Sequence, residues 1–125
     1  MPSPGTRNIG RNSLDKGTHI LADFYGVRET IDGEDLKILF QEAAEVCGET
    51  VITTCVHTFS PNGVSGVGIL AGSHISVYTF PEHQFAAVDV YMCGDACPGD
   101  ALEVIRQAYN PETVISHEKK RGVLE

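Results

Sequence analysis

Between residues 50 and 91 the chain carries four short strand-like segments in succession, joined by turns of only a few residues, and that run dictates an antiparallel sheet. Thr50 to Phe59 is rich in β-branched residues, and Ser60-Pro61-Asn62-Gly63 behind it is strong turn chemistry. Val64 to Leu70 reads as the returning arm of a hairpin, and Ala71-Gly72-Ser73 interrupts it. His74 to Phe80 is a further strand in which Ile75 and Val77 share one face, and after the turn Pro81-Glu82-His83 strand character resumes from Phe85 to Tyr91. Connections this short reverse the chain, because a parallel neighbour needs a crossover of about a dozen residues or more.

The flanks change period. Thr18 to Tyr25 reads as a first strand ended by Gly26, whereas from Glu34 to Cys47 the residues Leu36, Leu39, Phe40, Ala43 and Cys47 recur at three and four, as on one face of a helix. Asp32 is placed to cap that helix at its start and Gly48 at its end. Cys93 to Asp100 reads as a loop, with Asp100 capping a second helix that turns Leu102, Ile105 and Tyr109 inward and stops at Asn110-Pro111. Thr113 to Ser116 is a short last strand before a charged tail. The order β-α-β-β-β-β-α-β predicts an α+β fold, a two-layer α/β sandwich whose mainly antiparallel sheet carries two helices on one face. The other face must be buried or wetted, and pairing of two copies through it, a homodimer, is the expected solution.

With 125 residues the chain makes one domain, large enough for a single core yet small enough that an active site can require a partner subunit. Its net charge of −8, with no run of Lys or Arg to track phosphates, argues against a nucleic-acid partner. No apolar stretch approaches the length of a membrane span. Residues 1–16 hold two arginines but no apolar core, so they are expected to be a flexible polar leader rather than a secretory signal, with a cytoplasmic domain over residues 17–125. Cys47, Cys55, Cys93 and Cys97 do not form a disulfide framework and lack zinc-ribbon spacing, so free thiols and no metal site are expected.

The most informative stretch runs from Gly63 to Glu82 and continues from Phe85 to Gly94. A Gly-Val-Ser-Gly turn, a Ser-His at the start of a strand, an aromatic-Pro-Glu, and an Ala-Ala-Val-Asp run leading to Cys-Gly follow in that order. Together they resemble the small prokaryotic S-adenosylmethionine decarboxylase proenzymes, and the resemblance extends from about His19 to the region of Glu118. It implies autocatalytic cleavage between Gly72 and Ser73. The Ser73 hydroxyl attacks the preceding carbonyl, an ester forms by N-to-O shift, and elimination cuts the chain and leaves a covalent pyruvoyl cofactor. That ketone forms a Schiff base with the substrate amine and accepts the electrons released as carbon dioxide leaves.

Residue roles carry over by position. Ser65 matches the serine that steadies the tetrahedral intermediate of self-cleavage, and Cys93 the cysteine that protonates the substrate carbon after decarboxylation. Phe59 and Phe80 match the two aromatic residues that sandwich adenine, and Glu82 the carboxylate that accepts hydrogen bonds from the ribose hydroxyls; aromatic faces also attract a sulfonium charge. Taken without the family, two phenylalanines in a β-rich chain read as core, and Cys47, Cys55 and Cys97 as small buried residues. Two positions depart from the pattern. The family usually has Glu before the cleaved serine, where Gly72 removes crowding and permits unusual φ. It also places a proton-donating histidine five residues after that serine, where this chain has Tyr78; a phenol titrates near ~10 against ~6.5 for imidazole and shuttles protons less readily. His74 and His57 are the nearby groups that could take over.

Three other readings remain open on the residues alone. Close relatives of the family decarboxylate arginine or ornithine through the same pyruvoyl chemistry. Tyr78 leaves room for an unprocessed, non-catalytic homologue that binds a nucleotide ligand or an active subunit. A serine hydrolase fits least, because Gly63-Val-Ser-Gly lacks the spacing of a nucleophile elbow.

Overall fold

The computed structural model describes residues 16–124, so the expected leader falls, Lys16 apart, outside the described residues. Strands β1 (Gly17–Tyr25), β2 (Val51–Thr58), β3 (Val64–Leu70), β4 (Ser73–Phe80), β5 (Phe85–Cys93) and β6 (Thr113–Arg121) form one six-stranded sheet in the order β2-β3-β4-β5-β1-β6. Every neighbouring pair is antiparallel. Helices α1 (Gly33–Glu45) and α2 (Pro98–Tyr109) pack on one face, as the α+β sandwich predicted.

Alternation decides which residues meet the helices. Ala22 and Phe24 of β1, Ile75 and Val77 of β4, and Val88, Val90 and Met92 of β5 are buried against Leu36, Phe40 and Ala43 of α1 and Ala101, Ile105 and Tyr109 of α2. On β3 this side is held by glycine because α1 approaches closely: a Cβ on Gly68 would lie 3.1 Å from the Phe40 ring.

The caps fall partly where the sequence put them. Asp32 accepts the backbone N–H of Asp35 at 2.8 Å and caps α1, but the helix ends at Glu45, leaving Cys47 beyond it and left-handed Gly48 in the closing turn. The second helix starts earlier than expected. Pro98 opens it, with Cys97 at the cap position and Asp100 inside the first turn; a proline suits that turn because its φ is already helical and its missing N–H would have had no partner. Leu102 is only partly buried, and Ala101 takes the inward position instead. The last strand outruns Thr113–Ser116 and pairs with β1 all the way from Tyr25↔Thr113 to Gly17↔Arg121. Its charged residues suit an edge strand, whose outer side faces water.

Candidate active site

The hairpin joining β3 to β4 turns within two residues, since Leu70 pairs with Ser73 and leaves Ala71 and Gly72 at the tip. Gly72 takes φ +84, a left-handed conformation that a side chain disfavours. Ser73 follows as a buried residue, 6% exposed, and its Oγ accepts the backbone N–H of Cys93 at 3.4 Å. Cys93 closes β5 beside the same tip, so Gly72, Ser73 and Cys93 form one cluster at one end of the sheet.

The remaining sequence-predicted residues, His74 apart, gather at the other end. Ser65 stands across the ladder from Tyr78. These two, with Phe59, Phe80 and Glu82, line an open groove of about 470 Å³. Thr79 fixes this end of the β3–β4 hairpin, donating to Val64 O at 2.7 Å and accepting from Val64 N at 2.9 Å. Phe59 is 48% and Phe80 44% exposed, so the reading of both as core residues fails; neither lies on the helix side of the sheet. His57 packs edge-on against Phe59, with ring centroids 4.5 Å apart.

Within one protomer the two clusters do not meet. Five residues of extended strand from Ser73 to Tyr78 span about 17 Å, and seven to Phe80 about 23 Å. His74 follows Ser73 on β4, but successive strand residues point to opposite faces, and its ring lies on the open side.

There His74 joins a group that the sequence reading did not assemble. His74 Nε2 donates to Asp89 Oδ1 at 2.8 Å, His19 Nε2 to the same oxygen at 3.1 Å, and Ser76 Oγ to Asp89 Oδ2. Burial opposes the charge on Asp89, yet the hydrogen bonds from Ser76, His19 and His74 outweigh it and hold the carboxyl below its ordinary range. The available signal was phase: His19, His74, Ser76 and Asp89 are polar residues on the non-core phase of three apolar strands. Their lateral alignment depends on register, which one strand does not reveal.

All four cysteines are free. Cys47 is partly buried, its Sγ donating to Cys97 O at 3.1 Å, and burial pushes its thiol pKa up. Cys55 and Cys97 are exposed, contrary to the buried reading, because one lies on the open side of β2 and the other at the mouth of α2. No helix among the described residues is long and apolar enough to cross a membrane.

Comparison with known proteins gives the same answer by independent routes. Residues 18–122 match the family described as S-adenosylmethionine decarboxylase. A protein of Clostridium tetani named S-adenosylmethionine decarboxylase proenzyme is 41% identical over 112 residues, covering 87% of this chain and 89% of the relative. Another of the same name from Methanococcus maripaludis is 37% identical over 112 residues, covering 87% and 92%. The crystal structure of the adenosylmethionine decarboxylase of Aquifex aeolicus superposes with a TM-score of 0.79 at 39% identity, covering 89% of this chain and 94% of that one. Motif order, fold and sequence identity thus agree over nearly the whole described chain, which belongs to the S-adenosylmethionine decarboxylase family.

Proposed function

We propose that this chain is a proenzyme that cuts itself between Gly72 and Ser73 and then decarboxylates S-adenosylmethionine, yielding the aminopropyl donor for spermidine and related polyamines. The observation that carries this reading is the placement of a Gly-Ser bond at the tip of a two-residue hairpin, with Cys93 against it, in a member of this family.

Ser73 Oγ attacks the Gly72 carbonyl carbon, the Gly72–Ser73 amide bond breaks, and the acyl group passes to oxygen as an ester. Loss of the Ser73 Cα proton then expels the Gly72 carboxylate. Water replaces the nitrogen left on residue 73, which departs as ammonia, and a pyruvoyl ketone heads the second chain. That group supplies an electrophilic carbonyl for the substrate amine and a sink for the electrons of the breaking carboxylate bond. Ser65 holds the oxyanion of the attack, Tyr78 hydrogen-bonds the same centre, and Cys93 returns a proton to the substrate carbon. Phe59 and Phe80 stack on the adenine, and Glu82 accepts from the ribose hydroxyls.

Because Ser73 and Cys93 lie about 17 Å or more along the strand from Ser65 and Tyr78, a working site draws its two halves from two protomers. A twofold pairing of open sheet faces about an axis running across the strands supplies two equivalent composite sites, since such a contact brings one end of each sheet over the other end of its partner. The exposed Leu21, Tyr25, Ile69, Tyr78 and Phe80 on that face favour such a homodimer.

Intact-mass measurement tests the reading directly. Wild-type protein should resolve into residues 1–72 and 73–125 and release carbon dioxide from S-adenosylmethionine rather than from arginine or ornithine; Ser73→Ala should do neither. Cleavage persisting in Ser73→Ala overturns the assignment. A wild-type chain that stays whole and unreactive toward carbonyl-trapping reagents supports instead the unprocessed ligand-binding homologue, the reading that Tyr78 in place of the family histidine favours.

A further inference from the structure

His19 on β1, His74 on β4 and Asp89 on β5 bring two imidazole nitrogens and a carboxylate oxygen within 4.8 Å of one another on the open face of the sheet. The three come from adjacent strands, so the grouping is a product of register and not of a flexible loop. We infer that this triad is a divalent metal site, of the two-histidine, one-carboxylate type, for a zinc-class transition ion.

Three observations carry it. The donor set is mixed nitrogen and oxygen, which suits zinc, cobalt or nickel and disfavours magnesium and calcium, whose sites are built from oxygen. Asp89 is already oriented: Ser76 holds Oδ2, leaving Oδ1 toward both imidazoles, as an outer hydrogen bond fixes a ligating carboxylate. The ligands are half-buried, with side-chain exposures of 17% for His19, 28% for Asp89 and 39% for His74, so an ion can enter and keep water on its remaining positions.

Binding exchanges the two Nε2–H···Oδ1 hydrogen bonds for two Nε2–metal bonds. A ligating imidazole is neutral, so each Nε2 gives up its proton and the ring keeps one on Nδ1, exchanged through solvent. On His19 that nitrogen now accepts from Arg121 at 3.2 Å, so the exposed Arg121 side chain must turn away. The ion then ties together β1, the strand that begins with Ser73 and the strand that ends with Cys93. The inference holds whether or not the chain cleaves itself; if two copies pair through this face, the ion enters before they close.

The test uses untagged, metal-free full-length protein, titrated with Co²⁺ and Zn²⁺ in a non-coordinating buffer. One Co²⁺ per chain should bind with visible ligand-field bands and without the ultraviolet thiolate-to-cobalt band that cysteine ligation produces. Saturating Zn²⁺ should raise Tm by about 5 °C or more, and Mg²⁺ should not. His19→Gln and Asp89→Asn should each weaken Co²⁺ binding at least about tenfold, while His83→Gln, an exposed histidine elsewhere, leaves it unchanged. Circular dichroism of the variants without metal separates lost ligands from lost fold, and His19→Gln, at a partly exposed position, is the variant to rely on if Asp89→Asn unfolds. Failure to bind Co²⁺, a thiolate band, or affinity unchanged in a folded His19→Gln protein overturns the inference.

Discussion

Cys93 Sγ occupies the space that a side chain at position 72 would enter: a Cβ built on Gly72 lies 2.7 Å from it. Gly72 also sits at φ +84, where the backbone of an L-residue is strained. The residue before the bond proposed to be cut and the thiol beside it are therefore coupled. The glutamate usual in the family at this place could be accommodated only if Cys93 turned aside.

In an uncut Ser73→Ala background, Gly72→Ala should lose about 1–2 kcal/mol of stability. Adding Cys93→Ala should recover the part due to the contact and leave the part due to φ. Denaturant unfolding of the four chains in this cycle measures the coupling. An equal loss with and without Cys93 would show that the contact is relieved at no cost.

Tyr78→His should accelerate self-cleavage. Tyr78 is 46% exposed and faces Ser65 across the ladder, so an imidazole there has room and a neighbour to work with. General acid–base catalysis is worth roughly 10²-fold or more when the group is well placed, and a rise of about tenfold is the modest expectation. A time course of intact mass after expression or refolding reads it; an unchanged rate would mean that another group already moves the proton.

Two inactive chains should rescue one another if the site is shared between protomers. On the proposed roles Ser73→Ala lacks the attacking hydroxyl and Ser65→Ala the oxyanion partner, so neither should cut itself efficiently alone. In the mixed dimer one site unites the intact Ser73 of the second chain with the intact Ser65 of the first. Co-expression should therefore restore cleavage, and only of the Ser65→Ala chain. Absence of rescue in a demonstrated heterodimer argues for a site within one protomer.

Tyr109 packs against Phe24 in the core, and its buried hydroxyl has no hydrogen-bond partner among the described residues. Burial raises its pKa. An unfolded phenol ionises near ~10, so above that pH the unfolded chain gives up the proton while the folded chain keeps it. Stability contributed by the neutral phenol is complete below about pH 10 and falls as pH rises further. Tyr109→Phe should flatten that alkaline fall and raise stability at neutral pH by up to about 1 kcal/mol. Thermal unfolding at pH 7 and above pH 10 checks both; a less stable Tyr109→Phe would imply that the hydroxyl has a partner, such as a buried water.

Much of this protein was legible before any coordinate. Element order, the helix-facing residues Leu36, Phe40, Ile75 and Val77, the cap at Asp32 and the Gly72-Ser73 turn all depend on interactions a few residues apart, which periodicity and turn chemistry record. Errors came where neighbours compete: Pro98 captured the start of α2 from Asp100, and the full length of β1 drew the charged tail into β6.

Sequence by itself determined the two-layer sandwich and the family, because both follow from local pattern and from motifs strung along one chain. Tertiary structure alone decided that Ser73 and Cys93 stand at one end of the sheet and Ser65, Tyr78, Phe59, Phe80 and Glu82 at the other. It alone gathered His19, His74 and Asp89 from strands far apart in the chain. The reason is register: side chains alternate along every strand, but which residues of different strands lie side by side is set by how the strands pair, and a single strand carries no record of that.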